Sequence, residues 1–396
     1  MRTLRRLLAV VAVSAAVLIP AAPASAHGEN SQESFLRMGT IAYWDVKFSD
    51  TNVSQGEEFK LTGTAKVLET WPEQLADPKL GFIGLVAPGP VVLIKERKIN
   101  GVPAPHAIDI EKGGVYQFEM TLVARRPGHW HIHPIFGVHG AGSLLGPGRY
   151  ITVKESASGF SNNIQLTNGK TVDLENFGIG GLWFWSIVWL VMGLIWLLYW
   201  IVPKRTVTRL PVTSQIPLNT DGQEYGLITK KDHRVMNILM LVTLLLLAGG
   251  WIYQSSAYPD KMTQQVLRFE PPAADADPIF VTAKVTDAQF QPKDDTLTFD
   301  VEVTNQGEKA ATLDAFTTTT LTWAADKTLA VSPSTTVAPG ETKTLTLAIK
   351  DKVWTKERLM PLNESRLQLT GVLRFADEAA AENFVTIQSF VRPIRG

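Results

Sequence analysis

The chain has no cysteine among its 396 residues. That absence removes disulfides, thiolate metal sites, cysteine nucleophiles and covalently attached haem at one stroke, while remaining compatible with an oxidising compartment. Net charge is absent as well, because 38 Lys and Arg balance 38 Asp and Glu. There is no basic surplus to hold nucleic acid, which is not expected as a partner, and no acidic surplus to buffer cations. Long amphipathic helical patterns are missing before residue 180. Histidine is scarce, with seven in all, so its placement is informative. Six lie in the first half, at His27, His106, His129, His131, His133 and His139.

What is present begins with an export signal. Arg2, Arg5 and Arg6 form a positive n-region, Leu7 to Ile19 is apolar, and Pro20 to Ala26 reads PAAPASA, with small residues at Ala24 and Ala26. This pattern predicts a cleaved signal peptide over 1–26 and a mature chain that starts at His27. Two uncharged stretches, 181–202 and 235–253, have the length and the interfacial Trp and Tyr of transmembrane helices. The connecting segment 203–234 holds Lys204, Arg205, Arg209, Lys230, Lys231 and Arg234, whereas the outer flanks are sparse in basic residues. The positive-inside bias keeps that loop in the cytoplasm and puts the regions 27–176 and 261–396 outside. The lipid bilayer of a bacterial cell is thus the expected location.

Both outer regions read as β. FKLTGTAKV (Phe59 to Val67) and YQFEMTLV (Tyr116 to Val123) alternate in the first, with turn signals at Gly56, Pro88-Gly89-Pro90 and Gly113-Gly114. TLTFDVEV (Thr296 to Val303), TKTLTLAI (Thr342 to Ile349), Leu367 to Phe375 and Phe384 to Val391 do so in the second. Only Asp351 to Arg358 and Asp377 to Asn383 read as helical there. The expected fold is mainly β plus membrane helices: two β-sandwich domains joined by a two-helix transmembrane hairpin.

The chemistry concentrates in RRPGHWHIHPIFGVH, which carries His129, His131, His133 and His139. Alternate residues of a strand share a face, so His131 and His133 point one way while Trp130 and Ile132 point into the core. His129 shares their parity one step further along. Cleavage before His27 would add a free α-amino group beside an imidazole, and the two can chelate a metal together. With His131 and His133 the donor set is all nitrogen, which favours Cu(II) and also suits zinc and nickel. A blue-copper site needs cysteine and is excluded. The ligands bind when neutral, so affinity falls with pH. His106 and His139 read as surface or supporting residues, His129 as a neighbour of the site, and His233 as a solvated interface residue.

HGE at His27, Trp71-Pro72-Glu73, ARRPGHWHIH (Ala124 to His133), Gly146-Pro147-Gly148 and TVDLEN (Thr171 to Asn176) follow one another in an order and spacing that resembles the B subunit of the copper membrane monooxygenases. That family includes the particulate methane, ammonia and short-alkane enzymes, and the resemblance covers essentially the whole chain. It implies two cupredoxin-like domains, copper held by the amino terminus and imidazole of His27 with His131 and His133, and two partner membrane subunits of A and C type in a trimer of heterotrimers. It also leaves open that a copper in the C-type partner is the catalytic centre. A second histidine pair seen in some members falls here at Ala42 and Lys66, neither of which can replace an imidazole, so that second site is not expected. Position 129, where the family pattern leads one to expect an acidic residue, is histidine. Two other readings share part of this signature. A membrane-anchored copper carrier or storage protein without oxidase activity would isolate without partner subunits. A soluble-type copper polysaccharide oxygenase would need a flat aromatic surface and no membrane hairpin.

Overall fold

The alternation at FKLTGTAKV puts Phe59, Leu61, Ala65 and Val67 on one buried face and Lys60 on the other, and the same two-residue period organises the rest of the first β-domain. A computed structural model describes residues 32–104, 107–157, 159–166, 169–201, 229–258, 270–272, 280–363, 366–378 and 381–394. The signal segment 1–26, His27, His106 and most of the loop 203–234 lie outside the described residues.

A short helix α1 (Ser34–Gly39) precedes strands β1 (Ile41–Phe48), β2 (Asn52–Ser54), β3 (Glu58–Val67), β4 (Leu80–Val86), β5 (Val92–Ile99), β6 (Val102–Pro103), β7 (Ile108–Asp109), β8 (Val115–Ala124), β9 (Gly128–Val138), β10 (Gly142–Leu145) and β11 (Arg149–Lys154). They form two sheets, one ordered β1-β3-β8-β5-β6 and the other β2-β11-β9-β4-β7, with β10 paired to β9. Leu61, Met120 and Leu122 of the first sheet meet Ile132, Phe136 and Ile151 of the second in one fully buried core. Tyr43 ties the sheets together. Its hydroxyl donates to the Leu144 carbonyl at 2.7 Å and accepts from the Phe136 amide at 3.0 Å. Burial pushes its phenol well above the ordinary tyrosine range, against the Phe136 bond, which acts the other way.

A small hairpin of β12 (Asn163–Gln165) and β13 (Thr171–Asp173) leads to α2 (Ile179–Ile201) and, after the loop, to α3 (Lys230–Ala257). These residues form their own compact unit. Both helices are long and apolar enough to cross a membrane. Their large side chains face outward, Trp251 being 75 % exposed, which water would penalise and lipid would not. The second helix starts five residues before the expected 235, because Thr229 and Asp232 form a capping box that takes Lys230 to Arg234 into the first turns. Asp232 also accepts a hydrogen bond from the Tyr199 hydroxyl at 2.7 Å, which joins the two helices.

The second β-domain comprises β14 (Val281–Gln291), β15 (Thr296–Asn305), β16 (Ala311–Thr318), β17 (Leu321–Ala324), β18 (Ala330–Ser332), β19 (Thr336–Val337), β20 (Thr342–Lys350), the single turn α4 (Val353–Lys356), β21 (Leu367–Asp377) and β22 (Glu382–Pro393). β22 pairs with β21 along most of its length and with β14 through Arg392 and Pro393, so the sheet folds over on itself. Phe299 and Phe316 then meet across the core, 5.2 Å apart. The structure corrects the helical reading of Asp377 to Asn383. Asp377 ends β21, Glu382 and Asn383 begin β22, and the Ala381 amide donates to the Asp377 carboxylate. Helix preference at Glu382 yields to its pairing with Ala376, tertiary context overriding propensity.

The two β-domains belong to one compact unit. All four residues Ile41 to Trp44 are buried, although alternation would bury only two. Ile41 and Tyr43 enter the first core, while Ala42 and Trp44 face out and pack on Val372 of β21 and Phe384 of β22. Trp44 stacks on Phe384 at 4.6 Å. The Tyr43 amide donates to the Thr319 carbonyl at 3.1 Å. Helix α1 adds Met38, which lies in the core of the second domain, and Arg37, which donates to the Glu357 carbonyl at 2.6 Å.

Candidate metal centre

The sequence HIHP explains why a cluster forms midway along β9. Residues 128 to 132 pair with β11, and residues 135 to 138 pair with β10. Pro134 stands between these two ladders and has no N–H to continue the first. There the returning chain, Gly146-Pro147-Gly148, crosses the strand over His133. Gly148 lies one residue before the Arg149–Ile132 pair, and a Cβ on it would lie within 2.6 Å of the His133 Nδ1 and Nε2. Glycine is the residue that leaves room for the ring. The Gly146 carbonyl meets His133 Nδ1 at 2.9 Å. Nδ1 is then the donor, and Nε2 keeps its lone pair. His133 is consequently buried on the sheet's outer face, at 6 % exposure.

That lone pair accepts a hydrogen bond from His131 Nδ1–H, a proton that a bound metal would displace. His133 Nε2 and His131 Nδ1 are 3.1 Å apart, with the rings nearly perpendicular at 80°. Two adjacent ligands, each about 2.0 Å from a metal and subtending roughly 90–110° at it, lie about 2.8–3.3 Å apart. The observed spacing falls inside that interval. The carbonyl on the far nitrogen of His133 is the usual device that orients a metal-binding imidazole. The pair therefore fits a metal that prefers imidazole nitrogen. Among the described residues no third His, Asp or Glu completes a metal-binding group. His27, the expected third ligand, lies outside them.

The remaining candidates fall elsewhere. His129 is exposed and its Nδ1 lies 3.0 Å from the Thr152 hydroxyl. Tyr150, opposite His131 in the register, stacks against both His129 and His131. The sequence offered no sign of Tyr150, since only the strand pairing brings it to the cluster. His139 is exposed in the turn after β9, and His233 lies in the first turn of α3. Trp130 and Ile132 turn inward as expected, with Ile132 fully buried in the core and Trp130 packed against it.

Ala42 and Lys66 are direct cross-strand partners on β1 and β3. Ala42 is enclosed by apolar neighbours and Lys66 is ion-paired with Glu69 at 3.0 Å. The TVDLEN motif also has a structural role. The Asp173 carboxylate accepts from the Asn162 and Glu175 amides and from the Asn176 side chain, and these bonds hold it below the usual carboxylate range.

Comparisons with known proteins give this arrangement its family. The family model described as a monooxygenase B-subunit protein matches residues 28–394. A curated relative, the particulate methane monooxygenase alpha subunit of Methylococcus capsulatus, is 32 % identical over 399 residues, covering 96 % of this chain and 94 % of that protein. Among solved structures, the cupredoxin domain of amoB from Nitrosocaldus yellowstonii is 19 % identical, covers 30 % of this chain and 90 % of its own, and has a TM-score of 0.25. A protein of unknown function from Porphyromonas gingivalis is 8 % identical over 88 % of this chain and 99 % of its own, with a TM-score of 0.18. The family match and the full-length relative decide the matter: the chain belongs to the family of monooxygenase B subunits.

Proposed function

We propose that this chain is the copper-binding B subunit of a membrane-bound, oxygen-dependent monooxygenase complex that hydroxylates a small substrate of the short-alkane, methane or ammonia class. Copper is held by the amino group and imidazole of His27 together with His131 and His133. The helix hairpin spans the bacterial cell membrane, both β-domains lie outside, and two further membrane subunits complete the protomer of a trimer. When bound, copper supplies the one-electron and oxygen chemistry that side chains lack. The chain's own contribution is binding and orientation. Gly146 fixes the tautomer of His133, Gly148 makes room for the ring, and Pro134 opens the ladder beside it.

The observation that carries this reading is the 3.1 Å approach of His131 Nδ1 and His133 Nε2, with the Gly146 carbonyl on the far nitrogen of His133. The test is copper quantification on purified protein. His131→Ala, or one residue added before His27, is expected to remove the copper of this domain. Copper unchanged in both variants refutes the ligand set. Substrate-dependent oxygen uptake by the assembled complex adds a second measurement. Uptake that persists after copper loss here assigns the oxidation to a partner subunit, and uptake lost with the copper assigns it to this domain. Purification in detergent without two partner membrane subunits would overturn the monooxygenase reading in favour of a carrier.

A further inference from the structure

The backbone of β9 does not by itself fix the plane of the His131 ring. The torsion that sets the plane of an imidazole is broad and roughly two-fold, with no sharp minimum. The direction in which His131 Nδ1 points therefore depends on what lies against the ring. Tyr150 lies there. It is directly across from His131 on β11, and its ring stacks on the His131 imidazole with centroids 4.5 Å apart and planes 27° apart. His129 stacks on the same Tyr150 ring, at 4.7 Å and 4°. His129 is in turn held by the Thr152 hydroxyl, 3.0 Å from its Nδ1, and Thr152 is its own cross-strand partner. A continuous stack thus runs from Thr152 through His129 and Tyr150 to His131, whose ring then meets His133 edge-on at 4.4 Å.

We propose that Tyr150 is a positioning residue for the metal centre, and that His129 acts as the outer half of the same brace and not as a ligand. Together they hold the His131 ring at the angle that aims Nδ1 towards His133 Nε2. An exposed tyrosine on a sheet often does no more than cover its cross-strand neighbour, and Tyr150 is 51 % exposed. Two features separate it from that ordinary case. Two histidine rings stack on it, and one of those rings belongs to a proposed metal ligand. The brace works through the flat ring and not through the hydroxyl. It also gives a reason for histidine at position 129, where a planar group that can bond to Thr152 keeps Tyr150 from swinging outward.

This inference rests on His131 being a copper ligand, as proposed above, and the experiment keeps the two claims apart. The full mature chain in detergent is loaded with Cu(II). Its affinity is measured by competition with a chelator, its site by electron paramagnetic resonance, and its fold by thermal melting. Tyr150→Phe is expected to match the wild type in affinity and spectrum. Tyr150→Leu is expected to weaken copper binding about 3- to 10-fold, the loss of one aromatic stack, and to broaden and shift the copper hyperfine pattern while melting is unchanged. His129→Ser, at an exposed position, is expected to shift the spectrum in the same direction by less. Wild-type affinity and spectrum in Tyr150→Leu overturn the brace while leaving the ligand set intact. An equal loss in Tyr150→Phe also overturns it, because the effect would then belong to the hydroxyl. If Tyr150→Leu fails to fold, His129→Ser decides, and an unchanged spectrum there overturns the brace. Copper binding that survives His131→Ala removes the ligand assignment, and the brace falls with it.

Discussion

Around His133 the decisive residues are those with little or no side chain. Gly148 lies against it, and Gly148→Ala would press a methyl group into the ring. The ring must then turn away from the Gly146 carbonyl, and disturbing such an orienting partner typically costs about 10- to 100-fold in metal affinity. A copper titration of this variant should show a loss of that order with only a small change in melting. Tyr43 acts one residue deeper. Its hydroxyl bonds both Leu144, two residues before Gly146, and Phe136, three residues after His133. Tyr43→Phe strands a carbonyl and an amide in the core and should destabilise the protein by about 1–3 kcal/mol in denaturant unfolding. The sequence displayed the histidine pair through its two-residue spacing. It could not display Gly148 or Tyr150 as neighbours of that pair, because those contacts depend on the register between β9 and β11, which are joined through another strand and a glycine loop.

Helix α1 shows how an element can belong to two domains. It is only six residues long, too short to be stable by itself. Tertiary burial holds it, through Met38 in the core of the second domain and Arg37 on the Glu357 carbonyl. Met38→Ala should cost about 2–5 kcal/mol, measured as a fall in the denaturant midpoint. The segment around Asp173 makes a different prediction. Its carboxylate is held below the ordinary range by the Asn162 and Glu175 amides, so the bonds are at full strength above the unfolded value of about 3.9. They weaken as pH falls through the lower folded value. The protection of the Asn162 and Glu175 amides, relative to their intrinsic exchange at each pH, should therefore hold down to about pH 4 and be lost only as pH falls further through the folded value, whereas Asp173→Asn should remove that pH dependence. Long strands such as β3, β8, β15 and β20 were legible because alternation continues over eight residues or more. The end of β21 at Asp377 and the start of β22 at Glu382 were not, because local helix preference there competes with the pairing of the two strands.

The whole molecule differs from a string of separate domains. The sequence divides into two β-regions with a membrane-length hairpin between them, yet the β-regions share an apolar seam built from Ala42, Trp44, Leu68, Val372 and Phe384. An isolated first domain would expose Trp44 and its neighbours. Residues 32–157 expressed alone should self-associate in sedimentation, and Trp44→Ser should reduce that association. The same seam bears on the Ala42 and Lys66 positions. They are direct cross-strand partners, one enclosed among apolar residues and the other ion-paired with Glu69.

The sequence by itself determined the two apolar helices, the β character of the regions on either side of them and the His-x-His pair. Each of these is a local pattern, set by the number of residues per turn or per strand step and by the thickness of a bilayer. Tertiary structure decided the rest. It joined the two β-domains through one face of β1, opened the ladder at Pro134 so that Gly146 could orient His133, and brought Tyr150 against His129 and His131. These depend on which strand lies beside which and in what register. That is fixed by the burial of whole faces, so no single stretch of the chain can announce it.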